Sequence, residues 1–359
     1  MEKKKLWIFI AMAYGITAVM AVVMYVAYRQ DINTTAFVNV QMMYPACGVI
    51  LGKMICREEE KKLPIAGYIT VLVTTAVMML IAVLSVAVPI EPIEIGEVGI
   101  TIDIWNTVSQ LPIIAGSVLA YILFWVCGNE KRENAGLERK NIKQSIILVI
   151  VFVALITGRV MINVLLTDAV NGNDEQWRTV IDSFSNPLTY ITLATLPINF
   201  ILSFVAFFGE EYGWRYYLQP VCQNRFGKRI GVLILGLVWA LWHIDVDFMY
   251  YASGYGIQAF ASQIITCVAI AIFFGYAYMK TGNIWVPIIM HYLNNNLAVI
   301  FSGSAGNADA LMNQTIEWSD IPILAASSVL FIAFILAPVY RSGSIVQTEK
   351  EDLQDEDRS

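Results

Sequence analysis

The stretch FFGEEYGWRYYL, residues 207–218, sets two adjacent carboxylates and a guanidinium in one of the most apolar parts of the chain. Glu211 and Arg215 are four residues apart, so on a helix they share a face and can pair. Glu210 points about 100° away at 3.6 residues per turn and stays free to face something else. The chain has only two histidines, and both fall in apolar runs: His243 in LVWALWHIDVDF and His291 in GNIWVPIIMHYLNNNLA. Asn295 follows His291 by four residues and lies on the same helix face, with Asn294 beside it. A carboxylate and imidazoles are the groups on which acid–base catalysis draws. Glu210, His243 and His291 are also the donor types of an open zinc site. Singly, each has a plainer reading: charges at a helix end that reach to the interface, or a packed histidine. Together, on three helices at similar depth, they form a constellation.

The weight of these residues depends on the elements that carry them. The chain of 359 residues is 57% hydrophobic and only 14% charged, where an ordinary globular protein is about a quarter charged. Ten apolar runs, at 6–28, 37–56, 64–89, 105–127, 144–167, 188–217, 230–250, 259–279, 284–302 and 319–340, are separated by short polar connections. A helical span needs about 20 such residues, and the runs are too long and too unalternating for barrel strands. The expected fold is all-α: a multi-pass transmembrane helical bundle of about ten spans. With Lys3, Lys4 and Lys5 inside, both termini are cytoplasmic, and of the 23 basic residues only Arg29, Arg178 and Arg159 fall elsewhere than the inner side or its edge. The expected location is a cell membrane of bacterial type.

In such a setting a charge at the centre of a span costs about 2.5–3.5 kcal/mol, against roughly 0.3–0.6 gained per large apolar residue. Two unpaired glutamates would cancel about a dozen leucines. Partners are therefore required, and Arg215 supplies one for Glu211. Arg159, in the outer half of the fifth run, is expected to pair with Asp245 or Asp247 at similar depth, or else to reach the outer surface. Asp247, four residues after His243, has the alternative use of orienting that imidazole. Trp105, Trp125 and Trp285 stand near span ends, as interfacial aromatic belts do.

Four regions follow. Residues 1–186 hold five spans with few polar groups, and 187–302 carry almost every unusual intramembrane polar residue. A last span lies in 303–341, and 342–359 is an acidic tail of disordered composition. The first run is too long for a signal-peptide core and reads as a retained span. The five cysteines make neither a metal pattern nor a disulfide framework. No basic patch exists beyond the topology signal, so no nucleic-acid partner is implied. The partners implied are the bilayer and a membrane-associated peptide.

The region 187–302 resembles the CPBP intramembrane proteases, the group of CAAX prenyl proteases and bacteriocin-processing or immunity proteins. Their motif E-E-x-x-x-R stands as Glu210-Glu211-Tyr212-Gly213-Trp214-Arg215. Their F-x-x-x-H is present as Trp239-Ala240-Leu241-Trp242-His243, with Trp239 in place of the phenylalanine. Their H-x-x-x-N is His291-Tyr292-Leu293-Asn294-Asn295. The resemblance implies peptide-bond hydrolysis within the membrane. Glu210 would be the general base acting on water, His243 would hold that water and move protons, and Glu211 with Arg215 would fix the helix. Backbone N–H groups of a membrane helix are already used by the helix. Oxyanion donors must therefore come from side chains, and His291 with Asn295 are suitable. The resemblance favours metal-free chemistry without a cofactor, and Asn295 is a poor zinc ligand. There is no H-E-x-x-H zinc motif and no presenilin-type G-x-G-D, and a rhomboid-like G-x-S-G would need glycine where Tyr251 stands. Three other readings remain: a catalytically silent scaffold or immunity protein, a zinc-dependent protease, and a proton-coupled transporter.

Overall fold

The computed structural model describes residues 1–57, 61–95, 100–305 and 311–341, so the expected acidic tail lies outside the described residues. The described chain is almost entirely helical: α1 (Glu2–Arg29), α2 (Thr35–Ile55), α3 (Ile65–Ala87), α4 (Ile104–Val126), α5 (Ile142–Asn171) and α6 (Pro187–Phe226) are followed by α7 (Lys228–Trp242) with a bent continuation, Ile244–Tyr251. Then come α8 (Gly256–Thr281), α9 (Trp285–Phe301) and α10 (Asp320–Leu336). Between α3 and α4 lies one antiparallel ribbon, β1 (Ile93–Ile95) with β2 (Ile100–Ile102), paired Ile93 to Ile102.

By length and apolarity seven of these helices can cross a membrane, or eight if the bent pair is one span, against the ten expected. The two outside that count are α9, with 17 residues, and α10. The outer helices are built for lipid. On α3, Ile69, Val73, Val77 and Leu80 form an exposed apolar stripe, while Tyr68, Val71, Thr75 and Met78 behind it are buried. The face that would be polar in water is apolar here, as the hydrocarbon requires. The molecule is an integral, multi-pass membrane protein.

In contrast, α2 runs through the interior and is almost wholly buried. It meets α6 at two glycines. A Cβ on Gly209 would stand 2.3 Å from the Met42 carbonyl oxygen, and one on Gly213 would stand 2.2 Å from Cβ of Pro45. This approach fixes α6 in the turn that bears Glu210. Beyond Glu211 the helix widens into a π-helix over Tyr212–Leu218, a local form often found at functional sites.

The path of α7 is interrupted at His243, where its continuation departs by 45°. No proline or glycine marks the break. Neighbours hold it instead: Gln41 on α2 donates to the Trp242 carbonyl and to Asp245 Oδ1, both at 3.0 Å. From α1, Tyr14 donates to the Val238 carbonyl at 2.6 Å, and the Ala13 carbonyl accepts the Trp242 indole N–H at 2.7 Å. The start of α9 is held by Asn283, whose Oδ1 accepts from the Trp285 N–H while Nδ2 donates to the Lys140 carbonyl.

Trp285 departs from the interfacial role expected of it. It is buried, stacks on Phe204 and donates its indole N–H to the Leu137 carbonyl at 3.0 Å. Trp125 is the more exposed partner there, covered by the Arg139 guanidinium at 3.8 Å.

The crossing of α2 and α6 carries a direct expectation. Gly209→Ala must push Met42 and α6 apart, at a cost of about 1–3 kcal/mol for overpacking. Thermal unfolding of the purified variant in detergent should shift to lower temperature, whereas Gly15→Ala, with open space around it, should not.

Candidate active site

Glu210 and Glu211 are the last residues of the α-helical part of α6, and both are buried. Successive positions on the helix send them to different surroundings. Glu210 faces a cavity of about 490 Å³ that is also lined by Trp239, His243, His291, Asn294 and Asn295. Glu211 and Arg215 do not line it. They lie behind it with fully buried side chains, joined at 3.1 Å across the π-helical turn.

That ion pair is one arm of a larger unit. Glu211 Oε1 also accepts from His291 Nδ1 at 2.8 Å. The Arg215 guanidinium lies over the Trp239 ring at 4.0 Å and faces Phe274 at 5.1 Å. The pairing expected of Glu211 and Arg215 is thus present, and Glu211 has a second task, which is to hold His291. A carboxylate only accepts, so Nδ1 of His291 carries a proton, and Nε2 is the ring's remaining polar atom. Phe207 and Trp239 meet the imidazole edge to face at 5.4 and 5.6 Å and limit its rotation. Each ion buried this way costs several kcal/mol of desolvation. Charge-assisted bonds among the three groups offset that cost, and removing one member would leave an uncompensated charge.

His243 sits at the break in α7, and the break explains its orientation. Its backbone N–H donates to the Ala240 carbonyl, three residues back. The Trp239 carbonyl, four residues back, is left for the His243 Nδ1, at 2.9 Å. Orphan carbonyls at a helix end commonly take side-chain donors. Because the carbonyl can only accept, Nδ1 holds the proton and Nε2 keeps its lone pair. Trp242 packs edge-on at 5.0 Å, and Cys267 Sγ lies 4.0 Å from Nδ1.

Trp239 is the residue whose role the motif did not disclose. Its indole N–H donates to Glu210 Oε2 at 2.7 Å. A phenylalanine would offer the ring but not the donor. One side chain therefore holds the free glutamate and covers Arg215, while its own carbonyl holds His243. Asn294, beside the motif asparagine, also has a defined part: Nδ2 donates to Asn295 Oδ1 at 3.1 Å, leaving the Asn295 amide N–H groups as donors. The Phe-to-Trp departure was the one available signal for the first of these, and the doubled asparagine for the second.

Two expectations about charges need correction. Among the described residues Arg159 makes no ion pair with Asp245 or Asp247, and it does not reach the surface. It is 9% exposed, lines the same cavity, and its Nη2 donates to Thr266 Oγ1 at 3.1 Å. Asp245 is instead held by Gln41 and by the Val246 N–H. Asp247 also lines the cavity, and its Oδ2 has no hydrogen-bond partner among the described residues. The imidazole of His243 is oriented by the Trp239 carbonyl, not by Asp247.

Among the described residues, no three His, Cys, Asp or Glu side chains are grouped as an ion would require. The Nδ1 atoms of both histidines are committed to oxygen acceptors.

Comparison with known proteins bears on this cluster directly. Residues 192–297 match the family model described as Type II CAAX prenyl endopeptidase Rce1-like. A relative from Methanococcus maripaludis, CAAX prenyl protease 2, is 26% identical over 149 residues, which are 39% of this chain and 52% of the relative. The match therefore spans about half the length of that curated relative. No solved structure matches the chain. All three motifs, and every side chain joined to the Glu211–Arg215–His291 and Trp239–Glu210–His243 contacts, fall between residues 192 and 297. That segment is thus the part of this integral membrane protein that resembles the Rce1-like CAAX endopeptidases.

Proposed function

We propose that this protein is an intramembrane endopeptidase that hydrolyses peptide bonds of membrane-associated peptides with water activated by Glu210. The observation that carries the reading is the shared cavity, in which Glu210, His243, His291 and Asn295 meet from three separate helices.

The chemistry follows from which atoms are already engaged. Glu210 Oε2 is held by Trp239, so Oε1 is the oxygen that takes a proton from water. His243 Nε2, with its lone pair, accepts a hydrogen bond from that same water and aligns its oxygen with the scissile carbonyl carbon. Attack forms the new C–O bond and moves the carbonyl electron pair onto oxygen. The oxyanion is met by the Asn295 amide and by His291, whose Nε2 donates when the ring is fully protonated. Collapse of the intermediate breaks the C–N bond, and the proton held by Glu210 passes to the departing amine. The products are a carboxylic acid and an amine, the second water proton passes from the new carboxyl group to the amine, and the proton count closes without a metal. Glu211 and Arg215 act behind the cavity by fixing His291.

A non-catalytic scaffold or immunity protein is the competing reading, and substitution separates the two. Purified protein in nanodiscs, offered a broad panel of apolar membrane peptides, should cleave a subset. Glu210→Gln keeps an acceptor for the Trp239 N–H but removes the base, and should lower cleavage by about 10²–10⁴-fold. His291→Ala should cost a similar amount, about 10²–10³-fold for loss of an oxyanion donor. Cleavage should persist with a chelator. Loss on chelation and recovery with zinc would overturn the metal-free mechanism, and unchanged function in both variants would favour the scaffold.

Trp239→Phe restores the residue of the family motif, keeps an aromatic ring and deletes the indole donor. A hydrogen bond to a charged group contributes about 1.5–3 kcal/mol, so kcat should fall by roughly 10- to 100-fold with KM unchanged. The folded state, read by thermal unfolding, should be little altered.

A further inference from the structure

The connections between helices fall into two sets, at opposite ends of the bundle. One set is basic, with Lys61 and Lys62 before α3, Lys140 and Lys143 around the start of α5, and Lys228 and Arg229 at the start of α7. These connections are tied to one another: Lys62 pairs with Glu130 at 3.0 Å, and Asn141 donates to the Thr281 carbonyl at 2.9 Å. The other set is acidic, with Asp168 in the last turn of α5 and Asp174, Glu175 and Asp182 after it. It is tied together as well, by Tyr28 with Ser253 at 2.9 Å and by Ser183, which donates to the Ile300 carbonyl at 2.6 Å.

From Glu210 the cavity extends toward the acidic end. On α9, which runs from the basic end to the acidic one, its lining advances from His291 through Asn295 to Ser302 at the helix terminus. On α8, which runs back, the lining begins at Ala259 and stops at Ile270, well short of Lys280. Beyond the helices it takes in Gln314 and Ile316 of the connection before α10. That connection is held by the N–H groups of Asn313 and Gln314, which donate to the Tyr250 and Tyr251 carbonyls. Exposure follows the same course: Glu210 and His291 are buried, whereas Ser302 and Gln314 are exposed. Toward the basic end the interior is filled instead. Tyr212 stacks between Phe208 at 4.7 Å and Tyr216 at 4.6 Å, and its hydroxyl donates to the Ala135 carbonyl.

Lysine and arginine are retained on the cytoplasmic side of a membrane, so the acidic end faces outward. We propose that the cavity is entered from the extracytoplasmic face, and that its substrates are extended peptide segments presented on that side of the membrane. The inference rests on the endopeptidase reading above and adds a direction to it. Between His291 and Ser302 the helix rises about 16 Å, a distance that an extended chain covers with about five residues. A folded domain cannot follow that path, so the cut falls in a stretch of unfolded chain. The side-chain amides of Asn163, Gln263 and Gln314 line the route. Each carries donors and an acceptor, as the peptide backbone does, and the same route brings water to Glu210 and His243.

Two measurements on the full-length protein test this. The first is labelling by a small, membrane-impermeant, thiol-reactive cation in intact bacterial cells, read as the gain over the chain carrying Cys127→Ser alone. Ser302→Cys at the mouth and Asn163→Cys inside the cavity should both be labelled without permeabilisation, and Lys131→Cys at the basic end only after it. Labelling of Ser302→Cys only after permeabilisation overturns the outward orientation. Labelling of Ser302→Cys but not of Asn163→Cys from outside overturns the route. Should Asn163→Cys unfold, Ser302→Cys and the second measurement decide. The second uses peptides that the parent cleaves in nanodiscs, made impermeant by a sulfonated dye. Added to intact cells, they should be cut by the parent and left whole by Glu210→Gln; added to inside-out vesicles, they should be left whole by both. Equal cleavage in cells and vesicles, or cleavage in vesicles alone, overturns the direction and leaves the endopeptidase standing. No cleavage in nanodiscs, with both mouth and cavity labelled from outside, removes the endopeptidase and leaves the outward cavity standing.

Discussion

A charge buried in an apolar bundle must find its counterpart within a few ångströms, and this requirement organises the centre of the molecule. Glu211 is its clearest case. The carboxylate is fully buried and joins a guanidinium from its own helix to an imidazole from α9. Because Glu211 is engaged on that side, Glu210 can be turned to the cavity without two like charges competing for one partner. The order of the two acids in sequence thus divides their work: one maintains the frame and the other faces the space where a substrate can enter.

The frame extends well beyond the family-matched segment. The break in α7 that orients His243 occurs without proline or glycine, and it persists because α1 and α2 occupy its surroundings with donors and acceptors from Ala13, Tyr14 and Gln41. The crossing at Gly209 sets the height of α6 against α2. The residues proposed to do chemistry lie in one half of the chain, and several that hold them still lie in the other. A polar side chain inside a membrane helix supplies what water supplies at a surface, so the supports must come from neighbouring spans.

Much of this was legible from residue order alone. Each apolar run is helical, the four-residue spacing of Glu211 to Arg215 pairs them, and that of His291 to Asn295 brings both to one cavity. What could not be read was the choice of partner across helices. Arg159 and Asp247 share a cavity, yet the arginine takes Thr266, because depth in the bilayer constrains one coordinate and not the rotation of a helix about its axis. Trp285 looks like an interfacial residue by its place in sequence and is a core residue by its contacts. The interruption at His243 leaves no mark in composition, since its cause lies in helices about two hundred residues away in sequence.

The tether on His243 has a wider consequence for how such a centre can vary. The ring is held by the main chain of position 239, and every amino acid brings the same carbonyl. Exchanges of one aromatic for another at that position therefore leave the carbonyl that holds the imidazole in place and change what the side chain offers to Glu210, Arg215 and His291. The orientation of His243 and the donor offered to Glu210 are in this way set by separate atoms of one residue, the main-chain carbonyl and the side chain of Trp239.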